Sequence, residues 1–158
     1  MRIEAFNHVG ICVEDLERSL RFWQEAMGFR RTGDLRIDGE PTATLLEIPE
    51  VDLQAVYLTG HGLRIELLHY PSPGSVGDAE PRAMNRRGLT HFAFRVENLE
   101  ESIARVLACG GSVLEDTRIQ NPEFGAQVAF VTDPDGSRIE FVQAPGDPEA
   151  IPGNSSQD

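Results

Sequence analysis

FNHVGICVEDLERSL, residues 6–20, decides the fold, because most of its pattern returns at residues 90–103 as THFAFRVENLEESI. At a constant offset of 83, His8 maps to His91, Val13 to Val96, Glu14 to Glu97, Leu16 to Leu99, Glu17 to Glu100, Ser19 to Ser102 and Gly28 to Gly111. A second echo closes each half, LRIEL at residues 63–67 and SRIEF at residues 137–141. Each half therefore opens on a strand carrying a His and closes on a strand carrying a Glu.

The alternation of residues 3–13 predicts a strand with Val9, Ile11 and Val13 on one face and His8, Gly10 and Cys12 on the other. Asp15 is placed to cap a helix whose apolar residues Leu16, Leu20, Trp23 and Met27 recur at helical spacing, with Gly28 as its stop. That helix covers the Val9 and Ile11 face and leaves the His8 face open. Residues 29–37 read as a second strand, and residues 38–41 as a turn. A short segment through Pro49 reads equally as a turn or a helical insert. Residues 51–58 and 63–70 form a hairpin around a Gly-rich loop, with Arg64, Glu66 and Leu68 sharing a face.

The second half repeats this order: strand 89–96, helix 98–109 stopped by Gly110 and Gly111, strands 112–119 and 126–132, a turn at 133–136, and strand 137–143. The organisation expected is α+β, with a first βαβββ module at 1–70 and a Pro- and Gly-rich connector at 71–87. A second βαβββ module follows at 88–144, then a flexible tail at 145–158.

At 158 residues the chain is about the size of one ordinary domain. Its net charge of −12 repels phosphate backbones and anionic membranes, which argues against nucleic-acid and membrane partners. All 14 basic residues are Arg, so Schiff-base chemistry has no lysine to run on. Cys12 and Cys109 stand in apolar contexts without CxxC spacing and are expected to be buried thiols. With no apolar leader and no long apolar run, the expectation is a soluble, cytoplasmic protein.

A single His or Glu on a strand is ordinarily structural or solvated. Here both histidines occupy equivalent points of a first strand, and both glutamates equivalent points of a last strand. Two modules side by side would gather His8, Glu66, His91 and Glu140 around one point. Clustered carboxylates repel, and a cation is the simplest way to hold them. Two imidazoles and two carboxylates suit a first-row divalent ion such as Zn, Ni, Co, Mn or Fe. An octahedral ion so held keeps two positions for vicinal substrate oxygens and stabilises an enolate, with Glu140 or Glu66 carrying the proton. This chemistry is isomerisation or epimerisation next to a carbonyl.

Arg95, on the His91 face, is suited either to a substrate carboxylate or to neutralising a neighbouring acid. Gln54, Tyr57 and Tyr70 are candidate substrate-binding residues and equally ordinary sheet positions. His61 and His69 read as surface residues.

The phrases FNHVGICVEDLERSLRFW, LRIELLHY, GLTHFAFRVENL and DPDGSRIEFV resemble the vicinal oxygen chelate superfamily, which groups glyoxalases, bleomycin-resistance proteins and extradiol dioxygenases. The resemblance covers nearly all of residues 3–144. It implies paired βαβββ modules in a half-open mixed β-barrel around a metal, with His8, Glu66, His91 and Glu140 at the ligand positions. It also implies a homodimer acting on a small molecule.

The ligand set looks like glyoxalase I, while LRIELLHYPSPG and GLTHFAFRV look like methylmalonyl-CoA epimerase. Where the glyoxalase pattern holds glutathione with an Arg and an Asn, this chain has Cys12 and Tyr70. Where the epimerase pattern has a second Glu base, the nearest match is Gln54. The leading expectation is a metal-dependent isomerase or epimerase acting on a hydroxy-ketone, cyclitol ketone or acyl-CoA. Its rivals are a glyoxalase I-type lyase, an Fe(II) extradiol dioxygenase and a metal-free drug-binding resistance protein.

Overall fold

The computed structural model describes residues 2–123 and 125–150. The chain divides into two units between Asp78 and Ala79, within residues 71–87. The first unit runs β1 (Val9–Val13), α1 (Leu16–Arg21), β2 (Arg30–Asp38), α2 (Glu40–Leu46), β3 (Asp52–Gly60) and β4 (Leu63–Ser72). In the second follow β5 (Phe92–Arg95), α3 (Leu99–Ala108), β6 (Ser112–Asn121), β7 (Ala126–Thr132) and β8 (Arg138–Gln143). Of the expected tail, residues 145–150 are exposed and 151–158 lie outside the described residues.

Each unit is an open four-stranded sheet, in the order β1-β4-β3-β2 in the first and β5-β8-β7-β6 in the second. The first and last strands pair parallel and the other neighbours antiparallel, giving an α+β protein of mixed sheets. Parallel neighbours need a long crossover connection, and α1 and α3 occupy the start of those connections.

Asp15 caps α1, its carboxylate accepting from the Arg18 amide at 3.0 Å. The helix widens into a π turn over Phe22–Ala26 and stops at Gly28, whose φ of +73° is costly for other residues. Its Leu20, Phe22 and Trp23 are buried, as are Val13, Ile65 and Leu67 on the strands, and α1 packs against β4 in the core of the first unit. Burying each such side chain contributes about 1.5–3 kcal/mol.

In the second unit Asn98 caps α3, and Leu99, Ile103 and Val106 form its buried stripe. The Gly111 amide donates back to the Val106 carbonyl at 3.0 Å, so the Gly110-Gly111 pair ends the helix. The segment left open between turn and helix is α2, and His61 and Gly62 both take positive φ, 51° and 73°, as a two-residue hairpin requires.

Three expectations need correction. The first strand of each half is shorter than its alternation suggests, starting at Val9 and Phe92 instead of residues 3 and 89. Pairing begins only at Val9 with Ile65 and at Phe92 with Ile139, so His8 and His91 each stand one residue before a strand. Cys12 is exposed while Cys109 is buried. Its side chain belongs to the open His8 face, and apolar neighbours in sequence do not bury it.

The turn before β8 is held by Asp133, which is 2% exposed. Its Oδ1 accepts from the amides of Ser137 at 2.7 Å and Asp135 at 3.1 Å, whereas Oδ2 is buried without a partner among the described residues. Burial pushes this carboxyl up to about 6 from an ordinary 3.8. The folded state thus holds the proton more tightly than the unfolded one. Stability from this group is full below its unfolded value and is lost as pH rises through about 6, costing on the order of 3 kcal/mol at neutral pH. Asp133→Asn keeps the Oδ1 acceptor and removes the charge. Thermal melts are expected to show it more stable than the parent at about pH 7, with the gain largely gone near pH 4.

Candidate metal centre

Parallel pairing sets Gly10 opposite Glu66 and Ala93 opposite Glu140. Two residues before each small partner stands a His on the same face, with no bulky side chain between it and the Glu. The outcome is the same in both units: His8 Nε2 lies 3.1 Å from Glu66 Oε2, and His91 Nε2 lies 3.3 Å from Glu140 Oε2.

The far nitrogen of each ring is also engaged. His8 Nδ1 lies 2.7 Å from Asn7 Oδ1, and His91 Nδ1 lies 2.9 Å from Thr90 Oγ1. An amide oxygen only accepts, so His8 Nδ1 donates to Asn7. Nε2 then faces Glu66 either as a second donor or across a shared cation. Two donors each about 2.1 Å from an ion at right angles are about 3.0 Å apart, close to both observed separations. Each pair therefore fits two adjacent positions on a divalent ion. Among the described residues no three of His, Cys, Asp and Glu converge as an ion-holding group, so each unit supplies a pair and not a complete set.

The pairs differ in one neighbour. Tyr57 is opposite Glu66, and Phe130 occupies the matching place opposite Glu140. Both rings meet their His edge-on, with centroids 5.5 Å apart for His8 and Tyr57 and 5.4 Å for His91 and Phe130. Only Tyr57 has a hydroxyl, which donates to the Glu66 carboxylate. On the other side the Arg138 guanidinium lies 5.1 Å over the Phe130 ring, and its Nη2 donates to the Arg82 carbonyl at 3.1 Å.

The remaining candidates divide by strand parity. Tyr57 shares the Glu66 face. Tyr70 packs against the small apolar cluster of Val51, Leu53 and Ala55, and burial raises its phenol. Gln54 pairs with His69 and so lies on the face opposite Glu66. Arg95 is on the Glu140 face, its Nη2 donating to the carbonyls of Ala144 at 2.6 Å and Pro145 at 3.3 Å. His61, in the hairpin turn, reaches the Met27 carbonyl at 2.8 Å and ties down the end of the π turn.

Sequence reading missed Asn7 and Thr90. They stand at the same offset as the histidines and both carry a side-chain oxygen, so the signal was present. It also missed the bond from Tyr57, which needs the β3 register.

The hydrogen bond to Glu66, aided by burial and by the carboxylate charge, pushes the Tyr57 phenol from 10.0 up to about 12. Since the folded value exceeds the unfolded one, this contribution to stability is full below pH 10.0 and lost as pH rises toward 12. Ultraviolet pH titration is expected to show a phenol ionising near 12 that disappears in Tyr57→Phe and moves back toward 10.0 in Glu66→Gln.

Lactoylglutathione lyase of Pseudomonas aeruginosa is 30% identical over 153 residues, covering 89% of this chain and 82% of that protein. The lactoylglutathione lyase of Salmonella typhimurium is also 30% identical, over 87% of this chain and 90% of its own length. Among solved structures, a glyoxalase family protein from Bacillus cereus superposes with a TM-score of 0.79 at 19% identity, covering 92% of this chain and 97% of its own. The fosfomycin resistance protein FosX from Listeria monocytogenes, complexed with Mn(II) and sulfate, does so with a TM-score of 0.56 at 18% identity, covering 91% and 95%. A model of the Glyoxalase/Bleomycin resistance protein/Dioxygenase superfamily matches residues 5–141, and the chain belongs to that superfamily.

Proposed function

We propose that this chain is a divalent-metal-dependent isomerase or epimerase that moves a proton at a carbon next to a carbonyl, with His8, Glu66, His91 and Glu140 as its metal ligands. The observation that carries the reading is the twin His–Glu pair, each closed to about the spacing of adjacent metal ligands. A bound divalent ion supplies Lewis acidity to a carbonyl and its vicinal oxygen, acidifying the carbon between or beside them.

The residues of the chain then have separable tasks. Asn7 and Thr90 orient the two imidazoles so that Nε2 faces its carboxylate. Tyr57 restrains Glu66, whose side chain is 13% exposed. Glu140, at 26%, has a ring carbon edge where Glu66 has a hydroxyl; it takes the proton and returns it to the neighbouring carbon in an isomerisation, or to the opposite face of the same carbon, once the enolate has turned, in an epimerisation. A homodimer is the assembly in which we propose this happens.

A second reading, a lyase acting on lactoylglutathione, draws support from the names of the relatives. Against it, Cys12 and Tyr70 stand where the glyoxalase I pattern holds glutathione. Turnover of lactoylglutathione at rates exceeding those with hydroxy-ketones would select the lyase.

Metal analysis after loading is expected to find one divalent ion per chain in the parent protein and little in His8→Ala or His91→Ala. NMR in heavy water is expected to show deuterium entering an enolisable hydroxy-ketone, abolished by chelator. Glu140→Gln is expected to slow that exchange by about 100-fold or more. Exchange that survives chelation would refute the proposal.

A further inference from the structure

A cleft of about 360 Å³ opens beside Glu140 on the His91 face of the second unit. Its volume lies within the range of small-molecule sites. Strand register explains its lining. Arg95 on β5 pairs with Val142 on β8, which pairs with Val128 on β7, which pairs with Ile119 on β6. These four form one row across the sheet: a guanidinium at one end, then three branched apolar side chains. Glu140 stands one row away, two residues along β8, or about 7 Å.

The row is unlike an ordinary surface. Ile119 is 58% exposed although it adjoins other apolar residues, leaving apolar area that a ligand would remove from water. Arg95 is held in place from behind, because its Nη2 donates to the Ala144 and Pro145 carbonyls. Those are neutral acceptors, and no carboxylate among the described residues pairs with this guanidinium. Among the described residues its charge has no acidic partner, and its remaining donors are available at the cleft. A fixed guanidinium with free donors is suited to a carboxylate.

We propose that this cleft is the substrate subsite, and that it takes a carboxylate-bearing compound with a short branched apolar body. The carboxylate rests on Arg95, the body on Val142, Val128 and Ile119, and the enolisable carbon reaches Glu140. Arg95 is thus a specificity-determining residue. This assignment of substrate class rests on the proton transfer proposed for Glu140, while the cleft itself is testable without metal.

The probes are isocaproate and its neutral amide, titrated into metal-free protein and followed by heteronuclear NMR. Isocaproate is expected to perturb the amides of Ala93, Arg95, Val128 and Val142 and to bind at least about tenfold tighter than the amide, as a charge-assisted hydrogen bond in place of a neutral one would give. Arg95→Met is expected to erase the preference for the acid, and Arg95→Lys to restore part of it. Val128→Trp, which fills the cleft and leaves Arg95 intact, is expected to weaken both ligands. That variant and the acid-to-amide ratio of the parent carry the test if Arg95→Met fails to fold.

Equal binding of acid and amide by the parent, survival of the preference in Arg95→Met, or perturbations away from the cleft would each overturn the inference. Acid-selective binding here together with absent deuterium exchange would instead remove the proposed reaction and leave the subsite standing.

Discussion

The parallel pairing of first strand with last strand in each unit is the constraint on which the candidate centre depends. Gly10 with Glu66 and Ala93 with Glu140 place a small residue beside each carboxylate, and the His two positions earlier then reaches it. Side chains alternate along a strand, so a slip of one residue would turn each Glu toward the helix-covered face. Register is secured by the pieces around it. Helix α1 packs on β4, where Leu20, Ile65 and Leu67 are all buried, and the Asp133 turn sets where β8 begins. Close approach fixes the same turn from outside, since a side chain on Gly136 would collide with the Ala79 carbonyl.

Much of this was legible because the chain states its pattern twice. Period-two alternation assigned His8, Glu66, His91 and Glu140 to the faces opposite the branched residues, and the structure shows each His–Glu pair within hydrogen-bonding distance. What was not legible depends on partners distant in sequence. A strand lasts only as long as its neighbour pairs with it, so the alternation upstream of Val9 and Phe92 overstated both first strands. Cys12 looked buried from its neighbours, yet it is exposed on the open face. Gln54 and Tyr57 are three residues apart on one strand and so have opposite parity; only Tyr57 reaches Glu66.

Charge is distributed with similar economy. Several arginines are engaged by acids at the surface, as in Arg36 with Asp52, Arg31 with Asp34, and Arg118 with Glu100 and Glu115. Exposed pairs of this kind add little to stability, typically about 0–1 kcal/mol, but they neutralise one another locally. Arg95 differs because backbone carbonyls hold it. In a chain of net charge −12, a cation with no carboxylate partner among the described residues runs against the prevailing field.

The substitution of Phe130 for Tyr57 amounts to a single oxygen between otherwise matched neighbourhoods. Duplication produces two acids of equal standing. The Tyr57 hydroxyl anchors one of them and its absence at Phe130 leaves the other looser, so a single oxygen divides the labour between two copies of one pattern.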